Sequence, residues 1–292
     1  MITSQVVQLY KEELKDIYED GELSQIIFLV FEKVKSFTKI DFVLKGIEAV
    51  NGSEEEEFKR ILVELKQFKP VQYVLGYAWF HEMKFNVNEN VLIPRQETEE
   101  LVEWIVKDTR GEGRRTGDEV KILDVCTGSG CIAVSLKKDL NHAQVTAIDI
   151  SEAAIDVAMK NSETHKAPVR FIQTDILNLD KSFLTSSQSY NIIVSNPPYI
   201  LESEKQQMQK KELDYEPHLA FFVKDNDALI FYKRIAELAL IQLKPNGRLY
   251  FEINESKGKE VVELLQQKGF SNVILKKDLN GKDRMIKATI DI

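Results

Sequence analysis

An α/β fold is predicted for this 292-residue chain: a doubly wound, mostly parallel sheet of seven strands, preceded by a small helical bundle. Three observations predict it. Apolar residues in the first seventy positions recur at intervals of three and four. From Lys121 onward, strand-like and helix-like stretches alternate. Only Lys277 to Asp283 separates the last two strand candidates. That is too short for the crossover parallel strands need, so the final strand is expected to be antiparallel.

In chain order, residues 1–70 read as helices. Val6, Leu9, Tyr10, Leu14 and Ile17 form one apolar stripe, and Leu23, Ile26, Ile27, Val30, Phe31 and Val34 a second. Ser53 with Glu56 has the spacing of a capping box, followed by Phe58, Ile61, Leu62 and Leu65 on one face. Pro70 ends the run. No chemical motif falls here, so this region is either a plain bundle or a module that recognises a partner. Residues 71–100 change character and read as a β-hairpin connector. Trp79, Phe80, Phe85, Val87, Val91 and Ile93 suggest two short strands with a turn near His81–Lys84. Thr98–Val106 resumes a helical pattern, and the Gly-rich, charged stretch Asp108–Glu119 reads as a loop.

Residues 101–292 carry the α/β pattern. The strand candidates are Lys121–Cys126, Gln144–Asp149, Val169–Gln173, Asn191–Ser195, Arg248–Ile253, Asn272–Lys276 and Arg284–Ile290. Helical stretches separate the first six, with Asp175–Tyr190 mixed.

Composition excludes several classes. A hydrophobic fraction of 43% with 29% charged residues fits an ordinary globular protein. The apolar run Ile26–Phe31 cannot span a bilayer, and the N-terminus lacks a secretory signal, so a cytoplasmic protein is expected. The net charge of −8 is shared evenly between residues 1–70 and the rest. That balance argues against stable nucleic-acid binding; Arg110, Arg114 and Arg115 read as a solvated loop. Cys126 and Cys131 form neither a disulfide framework nor a zinc pair, and the four histidines are scattered, so no metal is expected. The chain is expected to be a monomer.

Two motifs carry chemistry. The first closes the first strand of the α/β region: Asp124-Val125-Cys126-Thr127-Gly128-Ser129-Gly130-Cys131. Gly128 and Gly130 allow a tight turn and close backbone approach to a ligand, beside the positive end of a helix. Asp149 ends the next strand, where a carboxylate suits two ribose hydroxyls. Alone, this describes a nucleotide-type site and leaves NAD open. The second motif, Asn196-Pro197-Pro198-Tyr199, follows the fourth strand directly. Two prolines fix φ and cannot donate to a ladder, so the chain leaves the sheet rigidly. Free carbonyls, the Asn196 amide and the flat face of Tyr199 could together hold a planar NH2 group.

With the Gly-rich loop, Asn-Pro-Pro-Tyr resembles the S-adenosylmethionine-dependent amino-methyltransferases. Within them the chain resembles the HemK/PrmC family, the peptide chain release factor N5-glutamine methyltransferases. Val91-Leu92-Ile93-Pro94-Arg95-x-Glu97-Thr98-Glu99, Gln72-Tyr73-Val74-Leu75-Gly76 and Tyr215-Glu216-Pro217 match as well, as does the helical N-terminal region. The sequence departs where the family has Gly and this chain has Cys126, at Glu82 in the connector, and at Val223–Asp227, which lacks the usual glycines.

The resemblance implies a Rossmann-like, seven-stranded methyltransferase sheet and a helical substrate-recognition domain. It implies S-adenosyl-L-methionine as methyl donor, S-adenosyl-L-homocysteine as product, and release factors as protein substrates. Cys126, Thr127, Gly128, Ser129 and Gly130 would line the methionine part. Asp149 would bind the ribose, and Asp175 or the main chain at Ile176 would meet the adenine. The Asn196 side-chain oxygen, beside the cofactor, and the Pro197 carbonyl would accept the two N–H bonds of a glutamine amide. Pro198 would border that amide and Tyr199 pack against its plane. The same acceptors would suit an adenine amino group in DNA or a ribosomal-protein glutamine. A DNA enzyme would also need base flipping and a basic track, which a balance of −8 does not supply. A binding protein that keeps the fold without activity is the remaining reading, and intact Asp149 and Asn196 speak against it.

Overall fold

The computed structural model describes residues 1–111, 119–179, 189–207 and 210–290. They form two compact units: Met1–Tyr77 with Gln209–Tyr215, and Ala78–Met208 with Glu216–Ile292.

The first unit is helical. Its main elements are α1 (Thr3–Leu14), α2 (Asp20–Lys35), α3 (Lys39–Leu44), α4 (Gly52–Lys66) and α5 (Val71–Leu75). The stripes seen in the sequence form its core: Val6, Tyr10 and Leu14 meet Leu23, Ile26, Ile27, Val30 and Phe31, and all meet Phe58, Ile61 and Leu65. The buried Tyr10 hydroxyl donates to the Phe58 carbonyl at 2.7 Å, and Tyr18 to that of Leu65 at 3.0 Å. The cap of α4 is Asn51 rather than Ser53. Asn51 Oδ1 accepts from the Glu54 N–H, and the Glu54 carboxylate accepts from the Asn51 N–H. Ser53 Oγ donates to that same Oδ1. Asn and Ser cap about equally well, so which helical turn comes first decides. Val74 and Leu75 of α5, in the segment read as connector, pack into this core.

The second unit opens with a hairpin, β1 (Tyr77–Phe80) and β2 (Met83–Asn86). His81 and Glu82 turn it with φ of 50° and 59°. Two consecutive positive φ values match the twist of a two-residue hairpin. Glu82, where the resemblance leads one to expect Gly, thus takes the left-handed conformation Gly would take freely. Next comes α6 (Gln96–Gly111), which buries Leu101, Val102, Ile105 and Val106. It runs through Asp108–Gly111, a stretch read as loop from its charge. Tyr250 and Lys287 bond Asp108 there, and Thr109 Oγ1 donates to the Ile105 carbonyl. These partners hold the last turn against the local Gly and charge signal. Arg114 and Arg115 lie outside the described residues.

The seven-stranded sheet comprises β3 (Lys121–Val125), β4 (Gln144–Asp149), β5 (Arg170–Gln173), β6 (Tyr190–Ser195), β9 (Leu243–Glu252), β10 (Ser271–Lys277) and β11 (Asp283–Thr289). Its order is β10-β11-β9-β6-β3-β4-β5. The final strand is antiparallel, as the short connection predicts. It inserts between β9 and β10 rather than lying at the edge. Helices α7 (Cys131–Asp139), α8 (Glu152–Thr164), α10 (Ile230–Gln242) and α11 (Gly258–Gln267) cover the sheet, and a short helix α9 (Lys210–Tyr215) belongs to the first unit. Alternate residues serve two cores. Leu123, Val125 and Ile193 join one, while Ile122, Ile192 and Val194 join the other. A strand buried on both faces reads as a continuous apolar run, as β6 does. A two-residue parallel pair was not legible in the sequence: β7 (Ile200–Leu201) with β8 (Phe222–Val223).

No helix among the described residues is long and apolar enough to cross a membrane.

Candidate active site

Parallel pairing gathers the candidate residues. Val125 pairs with Ser195 and Ile148, and Ser195 with Phe251. One residue further on, Cys126, Asp149, Asn196 and Glu252 therefore lie in one row at the carboxyl edge of the sheet. Ligands of open α/β sheets bind at that edge.

A cleft opens there, with a cavity volume of about 210 Å³. Cys126–Ser129, Asp149, Asp175, Ile176, Asn196 and Pro198 line it, all drawn from the residues singled out by sequence. Gly130, Pro197 and Tyr199 are not among the lining residues. Gly130 has φ of 77°, and a Cβ there would come within 3.0 Å of the Ala158 Cβ. Its glycine requirement therefore comes from helix packing as well as from the turn. Gly128 has φ of 54°, and a Cβ there would meet nothing within 4 Å. Cys126 has φ of 62°. Cys126, where the resemblance leads one to expect Gly, is thus left-handed, a conformation L side chains rarely adopt.

The loop is fastened by side chains. One Asp149 oxygen accepts the Gly128 N–H at 2.8 Å and the other the Ser151 N–H at 3.0 Å. Burial pushes the Asp149 carboxyl up, and those N–H groups hold it down in part. Asp124 is fully buried beneath the loop. Its Oδ2 accepts from Thr127 Oγ1 at 2.6 Å, while Oδ1 has no hydrogen-bond partner. Burial raises its pKa to about 7, against the pull of Thr127. Asn161, also fully buried, donates to the Ser129 carbonyl and the Asn86 carbonyl and accepts the Asn86 N–H. It pins the hairpin strand β2 to the Gly-rich loop.

Two further walls come from far along the chain. The Glu216 carboxylate accepts the Ile93 N–H at 3.0 Å and Arg95 Nη2 at 2.7 Å. That buried bond explains why two stretches matched by resemblance, Val91–Glu99 and Tyr215–Pro217, occur together. Leu219, Ala220 and Phe231 add apolar lining.

At the Asn-Pro-Pro-Tyr corner, Asn196 Nδ2 donates to Thr98 Oγ1 at 3.2 Å, and Thr98 Oγ1 donates to Glu252 Oε2 at 2.6 Å. The Tyr199 hydroxyl donates to Glu252 Oε1 at 3.0 Å. In the sequence Thr98 stood only within a matched motif and at the start of a helical pattern, and Glu252 only inside the strand candidate Arg248–Ile253.

Comparison with known proteins agrees with this arrangement. Residues 5–76 match the PrmC N-terminal domain family, and residues 108–213 the methyltransferase small domain family. A release factor glutamine methyltransferase of Flavobacterium psychrophilum is 45% identical over 278 residues, 95% of each chain. One from Bacteroides thetaiotaomicron is 40% identical over 98% of this chain and 99% of its own. The chain belongs to the release factor glutamine methyltransferase family. Its fold is also that of the N-terminal domain of human METTL16 in complex with SAH, at 17% identity and a TM-score of 0.53, covering 96% of this chain and 97% of that one.

Family membership gives the cleft its frame of reference. The Gly-rich loop, Asp149 and Asn-Pro-Pro-Tyr, distant in sequence, converge on one cavity of an enzyme family that transfers methyl groups.

Proposed function

We propose that this chain methylates the side-chain amide nitrogen, N5, of the glutamine in the Gly-Gly-Gln motif of peptide chain release factors, with S-adenosyl-L-methionine as donor. The observation that carries the reading is the near-full-length identity to release factor glutamine methyltransferases, in a chain whose Asn196 sits on the cleft wall.

The cleft's donors and acceptors fit S-adenosyl-L-methionine. Asp149 keeps acceptor capacity beyond its two backbone bonds, suited to ribose hydroxyls. Asp175 and Ile176 border the same cavity and are assigned to the adenine. The left-handed Cys126 and Gly128 bring backbone close to the methionine part without side-chain obstruction at Gly128. When bound, the donor supplies an electrophilic methyl group on a sulfonium.

The protein's task is to prepare the amide. An amide nitrogen is a poor nucleophile because its lone pair is delocalised into the carbonyl. Asn196 Oδ1 and the Pro197 carbonyl are assigned to accept its two N–H bonds, which aims the lone pair at the methyl group for in-line displacement. Tyr199, anchored through its hydroxyl to Glu252, is assigned to pack against the amide plane. Most of the acceleration then comes from positioning and preorganised dipoles. Once methylated, the nitrogen loses a proton that water can take.

Release factors work in translation, so the enzyme is assigned to the cytoplasm. The helical unit is assigned to holding the protein substrate. Removing residues 1–70 is expected to leave S-adenosylhomocysteine binding intact by calorimetry and to abolish most methylation of an intact release factor. Mass spectrometry of a purified release factor incubated with the enzyme and S-adenosyl-L-methionine tests the activity directly. The expected result is one added methyl on the Gly-Gly-Gln glutamine. An unmodified glutamine with bound donor would sink the reading.

A further inference from the structure

We infer that Thr98 and Glu252 are positioning residues that set which end of the Asn196 amide faces the substrate. This rests on the methyltransferase reading above and adds residues that neither sequence motif contains.

Proton counting carries the argument. A carboxylate has no proton to give, and Glu252 is met by two hydroxyls: Thr98 Oγ1 at 2.6 Å on one oxygen and Tyr199 Oη at 3.0 Å on the other. Glu252 is 1% exposed and Thr98 2%, so water does not compete for these contacts. A threonine hydroxyl has one hydrogen. With that hydrogen committed to Glu252, Oγ1 can only accept from its third neighbour. The group it faces on Asn196, 3.2 Å away, must therefore be Nδ2 and not Oδ1. The amide's other end, Oδ1, is turned from this chain of bonds at a residue that lines the cleft. Glu252, acting through Thr98, so presents an acceptor to the substrate's N–H. Reversed, Asn196 would present NH2 to NH2.

The same carboxylate anchors Tyr199, so one buried carboxylate sets two parts of the Asn-Pro-Pro-Tyr corner. Burial pushes the Glu252 carboxyl up, and the Thr98 and Tyr199 hydroxyls and the Arg284 guanidinium hold it down in part. Tyr232 Oη donates to the Glu252 backbone carbonyl at 3.3 Å. Sheet register makes the contact possible: Phe251 pairs with Ser195, which puts Glu252 beside Asn196.

Thr98→Val tests this without changing side-chain shape. It removes both the donor and the acceptor. Single-turnover methyl transfer is expected to fall by about 10-fold to 100-fold, the cost of a misoriented polar group at a reacting centre. KM for the release factor and affinity for S-adenosylhomocysteine should each change less than about threefold, because positioning acts on the chemical step. Thr98→Ser keeps the hydroxyl and should recover most of the lost rate. A purely structural role predicts the opposite: Ser, lacking the methyl, would fare no better than Val.

Side-chain amide NMR of isotope-labelled asparagine reads the orientation without turnover. The Asn196 Nδ2 resonances, assigned by their loss in Asn196→Ala, should shift and exchange faster with water in Thr98→Val and Glu252→Gln, and return in Thr98→Ser. Unchanged resonances in Thr98→Val, or a rate equal to wild type, would overturn the relay. Wild-type turnover is measured in the same series. A release factor left unmodified by wild type would overturn the assigned substrate instead, with the amide spectra still deciding the relay.

Discussion

The helical unit and the carboxyl edge of the sheet bury different things. Among the described residues of the helical unit, Thr3 is the single buried polar residue outside its tyrosines. Tyr10 and Tyr18 are satisfied by backbone carbonyls of the helix they pack on. The α/β unit buries Asp124, Asn161, Ser195, Glu216 and Glu252, several of them around the cleft. Burying a charge is costly unless it is paired or hydrogen-bonded. The helical unit meets that cost at Lys35, whose ammonium pairs with Glu48 and Glu54, and otherwise holds its shape by apolar packing. The sheet edge accepts it, and the same groups fasten the loops that line the cavity. The lesson is that the buried carboxylates Asp124, Glu216 and Glu252 fasten the loops around the cleft, and no carboxylate of the helical unit's described residues is buried in that way.

That contrast can be broken or sharpened by substitution. The largest effect is expected at Asp124. Its carboxyl has a raised folded-state pKa of about 7 against an ordinary 3.8, so the folded state binds its proton more tightly than the unfolded chain. Its contribution to stability is therefore greatest below about pH 4 and falls as pH rises towards 7. Asp124→Asn keeps an acceptor for Thr127 and removes the titration. The variant should gain on wild type as pH rises through that window, by an amount on the order of 4 kcal/mol across it. Thermal melts at pH 4 and pH 8 check this; parallel curves would mean Asp124 is ionised throughout.

Next comes Asn196→Ala, which removes the acceptor assigned to the substrate amide. A kcat decrease of about 10²-fold or more is expected, the scale for one lost preorganised contact. Cofactor affinity should change much less, since the adenosine contacts are assigned to the ends of β3 and β4. Single-turnover rates beside cofactor titrations separate the two, and near-normal turnover would show that other groups hold the amide.

Asp149→Ala should weaken binding of S-adenosylmethionine and S-adenosylhomocysteine by roughly 1.5–3 kcal/mol, the scale for hydrogen bonds to a charged group. Calorimetry reads it directly. Tight NAD binding with no response to either ligand would overturn the cofactor assignment.

The smallest effect belongs to the helical unit. Tyr10→Phe keeps the ring in its core and removes one hydroxyl bond, so stability should drop by about 1 kcal/mol. Turnover per folded molecule should stay at the wild-type value. A loss of kcat larger than the loss of stability would erase the distinction between the two regions.

Much of this was legible in the primary structure because the signals are local. Helical periodicity located α1, α2 and α4, since the stripe that packs is the stripe that repeats. The short link Lys277–Asp283 decided the direction of the last strand by chain length alone. Gly128, Gly130 and Asn196-Pro197-Pro198-Tyr199 marked the cleft because backbone conformation and missing N–H groups are properties of the residues themselves. Cap choice between Asn51 and Ser53, and the extra turn of α6 held by Tyr250 and Lys287, were not decided locally, since competing signals there differ by little.

What the amino-acid order alone determined is therefore the class of fold, the direction of its final strand and the two motifs that name the chemistry. Tertiary structure decided the rest. Insertion of β11 between β9 and β10, the left-handed Cys126 and Glu82, the Glu216 clamp on Arg95 and the Glu252–Thr98–Asn196 chain arise only when strands, turns and helices are assembled. Thr98 and Glu252 stand 154 residues apart and meet because α6 packs on β9, while the pairing of β9 with β6 puts Glu252 beside Asn196. A buried carboxylate takes its meaning from its partners, and those partners are chosen by packing, which no short window of sequence contains.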